Sequence, residues 1–218
     1  MSSSRIRKAA YWATICKPPM PKWSISSLTK HRGLGKTIQV ISALTAAFGK
    51  TGDERDWKRM RKMRNHPERP WYPVVLIICP GSLMDNWRSE LNRWGWWHIG
   101  TYHGSASEKT SVLNAISHGR LEIMITTYDT YRTGRGQINT VSWDCVIADE
   151  CHKIKDRKAE ITQAMNEVNA LCRIGLTGTA IQNKYDELWT LLNWTNPGLY
   201  HDPSTLCFAE HSQVYSAL

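Results

Sequence analysis

The sequence predicts an α/β domain built on a doubly wound, mainly parallel sheet. Short apolar, β-branched runs alternate along the chain with segments whose apolar residues recur at helical spacing. A glycine-rich loop opens the first of these helices, and an acidic pair follows one of the later strand-like runs. Alternation of strands and helices favours a parallel sheet, and such sheets bind ligands at the carboxyl ends of their strands.

The predicted elements follow one another along the chain. Lys36 starts a helix whose apolar face extends to Phe48, and Gly49 ends it. Ser82 is the candidate cap of a helix that runs through Trp94. The other predicted helices follow a capping box at 105–108 and stop near residue 119, or span 159–171 and 185–194. The predicted strands are 74–79, 98–103, 122–127, 143–148 and 173–178.

Residues 33–37, with the sequence Gly-Leu-Gly-Lys-Thr, have the composition of a phosphate-binding loop. Gly33 and Gly35 let the backbone approach an anion so that successive N–H groups can point at it. Lys36 supplies a positive charge for the β- and γ-phosphates, and the Thr37 hydroxyl can bind Mg²⁺. The helix that starts at Lys36 directs its positive dipole end at the same anion. This segment therefore predicts a nucleoside triphosphate site.

Asp149 and Glu150 follow the apolar run 145–148, which is predicted to be a buried strand. The strand delivers both carboxylates to the edge where α/β sheets bind ligands. Asp149 suits the metal, and Glu150 suits polarising the attacking water. Because this pair follows a distant Gly-Lys-Thr loop in the expected order, the sequence favours an ATPase.

Two short motifs resemble nucleotide-binding sequences, but their context argues against that role. Gly49-Lys50-Thr51 ends a helix instead of starting one, which argues against a second phosphate loop. Residues 183–186 match the Asn-Lys-x-Asp pattern that reads guanine, but no Asp in the chain is followed by Gly at the spacing that a GTPase needs. The sequence therefore does not favour a GTPase.

The net charge of +9 is concentrated in the amino-terminal third. Residues 1–70 hold 16 of the 28 Lys and Arg residues but only 4 of the 19 Asp and Glu residues. Residues 55–69 are especially basic. Composition leaves two interpretations open for 58–64: a solvated basic loop, or a contact with DNA phosphates.

Cysteine and tryptophan residues point to packing. The six cysteines contain no C-x-x-C pair, so neither a zinc site nor a disulfide framework is indicated, and we interpret them as small buried hydrophobes. Trp87, Trp94, Trp96 and Trp97 are predicted to pack in the core or in interfaces and not to stack on bases. The longest aliphatic run, 74–79, is too short to span a bilayer.

A series of ordered segments resembles the first RecA-like lobe of superfamily-two helicases, specifically the Swi/Snf-type double-stranded DNA translocases. The matching segments are 33–39, 79–82, 87–91, 125–131, 149–152, 176–183, 187–189 and 193–198. The resemblance covers about residues 33–200. It is greatest to the excision-repair branch, related to Cockayne syndrome group B and its excision repair cross-complementing six-like relatives.

The resemblance implies ATP and Mg²⁺ as cofactors. It implies that Lys36, Asp149 and Glu150 are catalytic residues and that Thr37 and Asp149 bind the metal. The implied nucleotide contacts are Gly33, Leu34, Gly35, Lys36, Thr37, Ile38, Gln39 and His152. His152 would also couple the nucleotide site to Thr177, Gly178 and Thr179.

The resemblance further implies that double-stranded DNA is a partner, contacted through its backbone. The implied contact residues are Pro80, Gly81, Ser82, Thr126, Thr127 and Tyr128, acting through backbone amides and hydroxyls. Helix starts and strand ends offer unpaired N–H donors, so the physical chemistry agrees, and such contacts are independent of base sequence.

The resemblance defines the expected organisation and function. We expect a divergent, poorly ordered segment at 1–32, a single RecA-like ATP-binding lobe at 33–200 with a charged insertion at 50–72, and a divergent tail at 201–218. We expect a second RecA-like lobe to be absent, and therefore expect the monomeric lobe of a truncated DNA-dependent ATPase, very weak or inactive by itself. It would act in the nucleus with repair or chromatin proteins and no membrane. The alternative is a catalytically inert nucleic-acid or protein interaction module.

Overall fold

The computed structural model describes residues 35–58, 72–178 and 185–198. The predictions for 1–32 and 201–218, for the basic stretch 59–64, and for Gly33, Leu34 and Thr179 lie outside the described residues. Within the described ranges, no helix is long and apolar enough to cross a membrane.

Five parallel strands form one sheet in the described part of the chain, which confirms the predicted doubly wound α/β class. The strands are β1 (Val75–Cys79), β2 (Ile99–Thr101), β3 (Ile123–Thr127), β4 (Trp143–Asp149) and β5 (Ala170–Leu176). Their order across the sheet is β2-β3-β1-β4-β5. Every residue of β1, β3 and β4 is buried, as expected for strands covered on both faces.

Helices cover both faces of the sheet. They are α1 (Lys36–Ala47), α2 (Met84–Trp94), α3 (Ala106–Ser117), α4 (Tyr128–Ile138), α5 (Glu160–Asn166) and α6 (Tyr185–Thr195). Two short 3₁₀ turns, Gly81–Leu83 and Cys151–Ile154, follow β1 and β4. A hydrophobic core lies on each face of the sheet. On one face, α1 and α2 pack against every second residue of the strands. On the other face, the remaining helices pack against the intervening strand residues.

The strand register brings the carboxyl ends of the strands together at one edge of the sheet, here called the carboxyl edge. Cys79 lies beside Thr127, and Asp149 lies beside Leu176. The chain therefore leaves β1, β3, β4 and β5 at neighbouring points on this edge. The opposite side, where the strands begin, is called the amino edge.

Three predicted boundaries are wrong. The helix predicted at 159–171 ends at Asn166, and β5 starts at Ala170 because Trp143 pairs with Ala170 in the sheet. A strand pairing thus overrides the local helical pattern. Ser82 does not cap a helix, since it lies in the 3₁₀ turn that precedes α2.

Helix α4 was not predicted, because Gly134 and Gly136 lower its helix propensity. It forms because Tyr131 and Ile138 are buried against the sheet and Thr127 caps its start. A Cβ at position 134 would lie 3.1 Å from the hydroxyl oxygen of Tyr102, so a larger residue there would have to displace this buried side chain slightly.

Candidate functional site

Helix α1 starts directly after a glycine in the left-handed conformation. Gly35 adopts the left-handed conformation, with φ of 67° and ψ of 38°, and the helix begins at the next residue. Glycine adopts this conformation without strain, which explains why it stands here. Gly35 O accepts the first helical hydrogen bond from Gln39 N at 2.9 Å. Ile38, also a predicted nucleotide contact, is exposed on the first turn.

The Lys36 ammonium lies where two loops of the carboxyl edge converge. Lys36 Nζ is 3.9 Å from Glu150 Oε1, in the loop after β4. It also lies 3.4 Å from the point that a Cβ on Gly178 would occupy, in the loop after β5. A side chain at position 178 would therefore crowd the ammonium group. The structure brings these three predicted site residues together.

Asp149 ends β4 with a buried and oriented carboxylate. Trp87 Nε1 donates to Asp149 Oδ2 at 2.8 Å, and Glu150 N donates to Oδ1 at 2.9 Å. Burial raises the pKa of Asp149, and the two hydrogen bonds and the charge of Lys36 offset only part of that rise. The ionised carboxylate therefore lacks full compensation in the protein alone, which fits a group that binds a cation.

Glu150 has a strained backbone. Its φ of 51° makes it the one residue other than glycine with positive φ in the described ranges. Such a conformation costs about 1–3 kcal/mol and is concentrated at functional sites. It turns the chain sharply after Asp149, and the Glu150 side chain stays about one-third exposed beside Lys36. A carboxylate in this position can contact solvent water.

His152 connects the loops after β4 and β5. Its Nδ1 is 3.2 Å from Glu150 Oε2 and 3.5 Å from the hydroxyl oxygen of Thr177. Thr177 directly precedes Gly178, which faces Lys36. The structure therefore places His152 beside Thr177, one of the described residues with which it was predicted to couple.

The residues present fit a magnesium ion. Thr37 lies in the first turn of α1, and Asp149 supplies a desolvated carboxylate whose charge interacts with that of Lys36. Hydroxyl and carboxylate oxygens are ligands that Mg²⁺ accepts when substrate phosphates and water complete its shell. Among the described residues there is no group of three His, Cys, Asp or Glu residues that could hold a metal by itself.

The segments predicted to contact DNA lie side by side on the carboxyl edge. A Cβ on Gly81 would be 3.8 Å from Thr127 Cγ2, and Gly81 and Ser82 are exposed. The hydroxyls of Thr126, Thr127 and Tyr128 all face inwards. They donate to Tyr102 O, Thr130 Oγ1 and Asp149 O, respectively. Any phosphate contact by these three residues therefore has to use their backbone.

The sequence did not reveal the side chains that support Asp149. Trp87 was predicted only as a packing residue of α2, and Tyr128 as a DNA contact. Both are buried and donate hydrogen bonds to Asp149, one to its carboxylate and one to its carbonyl oxygen. The only sequence signal for Trp87 was its helical spacing, which also describes an ordinary core residue.

Comparison with known proteins identifies the family. A family model described as the SNF2-related domain matches residues 26–213. The chain belongs to this family. The predicted resemblance to Swi/Snf-type proteins is therefore confirmed.

Several curated relatives share this SNF2-related domain. The chain is 39% identical over 201 residues to the DNA excision repair protein ERCC-6-like 2 of Mus musculus, covering 85% of the chain and 13% of the mouse protein. It is 38% identical over 167 residues to Switch 2 of Arabidopsis thaliana, covering 76% and 18%. It is 31% identical over 177 residues to the ISWI chromatin-remodeling complex ATPase ISW2 of Saccharomyces cerevisiae, covering 80% and 14%. The chain thus spans less than a fifth of the length of these relatives.

A solved structure shares the fold. The Sulfolobus solfataricus SWI2/SNF2 ATPase core in complex with dsDNA matches with a TM-score of 0.62 and 28% sequence identity. The match covers 93% of this chain and 37% of that chain. The fold is therefore RecA-like, as the sequence predicted.

Proposed function

We propose that this SNF2-related domain binds Mg²⁺-ATP as the nucleotide-binding lobe of a DNA-dependent ATPase. The observation that carries the proposal is the convergence of Lys36, Asp149 and Glu150 at the start of α1. A cation, a desolvated carboxylate and a solvent-accessible carboxylate meet there within one edge of the sheet. This combination suits phosphoryl transfer to water.

Each residue has a distinct part in the proposed reaction. Lys36 and the N–H groups at the start of α1 bind the β- and γ-phosphates. Thr37 and Asp149 would hold Mg²⁺, which neutralises charge on those phosphates when bound. Glu150 orients and polarises the attacking water, and His152 links Glu150 to the loop that carries Thr177.

We propose double-stranded DNA as the partner of the same edge. The exposed turn at Gly81 and Ser82 lies beside Thr127, so two adjacent helix starts can contact phosphates without reading bases. Two relatives are named as a repair protein and a chromatin-remodeling ATPase. On this basis we propose that the chain acts in DNA repair or chromatin remodelling. It would do so in the nucleus, with partner proteins from those systems.

Full activity requires a facing lobe in this proposal. The cation beside Glu150 is Lys36, and an arginine from the facing lobe would supply a second positive charge at the γ-phosphate. An arginine that neutralises charge on the γ-phosphate is worth about 10³–10⁵ in rate in other phosphoryl-transfer enzymes. We therefore expect the 218-residue chain alone to hydrolyse ATP slowly, with little stimulation by DNA.

Calorimetric titration with Mg²⁺-ATP tests the proposal. Lys36→Ala should abolish the binding that the wild type shows. Lys158→Ala is the matched control, because Lys158 is exposed and its side chain forms no ion pair among the described residues. Equal affinity in the wild type and Lys36→Ala would contradict the phosphate-loop assignment. No binding by the wild type would favour the alternative, an inert interaction module.

A further inference from the structure

Trp87 lies between two parts of the carboxyl edge: the turn proposed to contact DNA and the carboxylate proposed to bind Mg²⁺. Its ring is fully buried on α2, and its Nε1 donates to Asp149 Oδ2 at 2.8 Å. The two residues are 62 positions apart in the chain. The contact therefore joins a helix that follows β1 to the carboxylate that ends β4.

Helix α2 begins where the candidate DNA-contact turn ends. The 3₁₀ turn Gly81–Leu83 runs directly into Met84, the first residue of α2. The backbone N–H of Met84 donates to Gly81 O, so the turn is continuous with the helix. Trp87 lies on the first turn of α2. A displacement of residues 80–82 would therefore also move the first turn of α2, which carries Trp87.

Asp149 has few alternatives to this hydrogen bond. Its other donor is the N–H of its own neighbour, Glu150, which lies in the strained backbone turn. Among the described residues, Trp87 thus provides the one side-chain hydrogen bond to the Asp149 carboxylate. The indole is rigid and its burial fixes it, so it can define one orientation of Oδ2.

We infer that Trp87 is a positioning residue that orients Asp149 for Mg²⁺ and links this carboxylate to the DNA-contact turn at residues 80–82. The inference rests on the proposed function. Partners that orient a metal ligand typically change metal affinity 10- to 100-fold when they are removed. A contact carried by a rigid helix also gives DNA and Mg²⁺-ATP a physical route by which each changes the affinity of the other.

The test compares two tryptophans that differ only in what they bind. Trp87→Phe removes the N–H donor and keeps a buried aromatic ring. Trp194→Phe is the matched control, since Trp194 is also fully buried and its Nε1 donates at 2.9 Å to the backbone carbonyl of Met165, away from Asp149. Each substitution removes one buried hydrogen bond, so both should lower thermal stability by similar amounts.

Calorimetry gives the dissociation constant of ATP with Mg²⁺ and with EDTA for both variants. Trp87→Phe should weaken ATP binding about 10- to 100-fold with Mg²⁺ but less than twofold with EDTA, and Trp194→Phe should change neither. A 30-base-pair duplex, added at saturation, should alter the Mg²⁺-ATP affinity of the wild type and of Trp194→Phe, and should have no effect on Trp87→Phe.

The outcomes are separable. Identical behaviour of Trp87→Phe and Trp194→Phe would overturn the inference, because Trp87 would then have only a packing role. A wild type that fails to bind Mg²⁺-ATP would overturn the proposed function itself. If Trp87→Phe is strongly destabilised, Trp87→His decides the matter, because a ring N–H can still donate to Asp149 Oδ2. Trp87→His should recover part of the Mg²⁺-dependent affinity that Trp87→Phe loses, and equal loss in both variants would count against the link.

Discussion

Glu122 and Asp149 are buried carboxylates at opposite edges of the same sheet, and their surroundings shift their pKa values in opposite directions. Glu122 precedes β3 at the amino edge and has no exposed surface. Asp149 ends β4 at the carboxyl edge. Burial would raise the pKa of Glu122, but hydrogen bonds from His98 and the charge of Lys50 outweigh it, so this pKa is lowered. The pKa of Asp149 is raised.

The difference lies in the partners. Glu122 Oε1 binds Lys50 Nζ and the Tyr72 hydroxyl, each at 2.7 Å, and Oε2 accepts from His98 N at 2.7 Å. Lys50 Nζ also donates to Trp96 O at 2.6 Å. Among the described residues, the donors within hydrogen-bonding distance of the Asp149 carboxylate, Trp87 Nε1 and Glu150 N, are neutral. A carboxylate with complete partners stabilises the fold, whereas one without them can bind a ligand.

The largest expected effect concerns the carboxyl edge. Glu150→Gln should lower the rate of ATP hydrolysis by about 10²–10⁴, because the amide cannot polarise water as a base does. Mg²⁺-ATP affinity should stay within a few-fold of the wild type. The rate is measured in single turnover with a second lobe supplied from a close relative. Glu167→Gln, an exposed partner of Arg135, serves as the control and should leave the rate unchanged.

At the amino edge, Glu122→Gln should lower the free energy of unfolding by about 3–5 kcal/mol, since it leaves Lys50 charged, buried and without its partner. Urea denaturation at pH 7 measures the change. A double replacement, Lys50→Met with Glu122→Leu, should recover part of the loss. A loss below about 1 kcal/mol for the single variant would show that the pair contributes little.

The same carboxylate predicts a pH dependence. The folded pKa of Glu122 is lowered, so its contribution is complete above the unfolded pKa of about 4.3 and disappears as the pH falls through the folded value. Denaturation curves collected across that acid range should show a smaller loss of stability in Glu122→Gln than in the wild type. Parallel acid limbs would argue against an ionised Glu122 in the folded state.

Asp149→Asn should have the opposite effect on stability. A raised folded pKa means that ionisation of Asp149 disfavours the folded state at neutral pH. The amide removes this charge, and its oxygen can still accept from Trp87 Nε1. Its NH₂ group then faces the Glu150 N–H, which offsets part of the gain. We expect a gain of about 0.5–2 kcal/mol, the range typical of a stabilising substitution at a functional site, measured by the same urea series.

The smallest predicted difference concerns the strained backbone of Glu150. Glu150→Gly should be more stable than Glu150→Ala by about 1 kcal/mol, because a left-handed conformation is unfavourable for any residue with a Cβ. Both variants lose the carboxylate, so the comparison isolates the backbone. Equal stability would mean that the turn relaxes when Glu150 is replaced.

The sequence predicted the chemically distinctive residues and missed most of their supports. Lys36, Asp149 and Glu150 were found because a phosphate loop and a carboxylate pair have recognisable spacing. The hydrogen bond from Trp87 to Asp149 could not be found, because it depends on how α2 packs on β4. The dismissal of Gly49-Lys50-Thr51 as a phosphate loop was sound, yet nothing in the sequence showed that Lys50 is buried against Glu122.

Aromatic residues show the same limit. Trp87 and Trp97 are buried, as predicted, but Trp94 and Trp96 are 47% and 43% exposed. The predicted burial of cysteine holds for the four in the described ranges, Cys79, Cys145, Cys151 and Cys172. Local pattern thus identifies which segments enter the core, while the exposure of a side chain at the end of a helix depends on tertiary packing.

Stabilisation by ligand tests the division between the two edges most directly. The thermal unfolding midpoint is measured with and without saturating Mg²⁺-ATP for the wild type, Asp149→Asn and Glu122→Gln. A ligand that binds only the folded state raises this midpoint. We expect the rise to persist in Glu122→Gln, although that variant starts from a lower midpoint, and to disappear in Asp149→Asn. A full rise in Asp149→Asn, or its selective loss in Glu122→Gln, would contradict the assignment of the nucleotide site to the carboxyl edge.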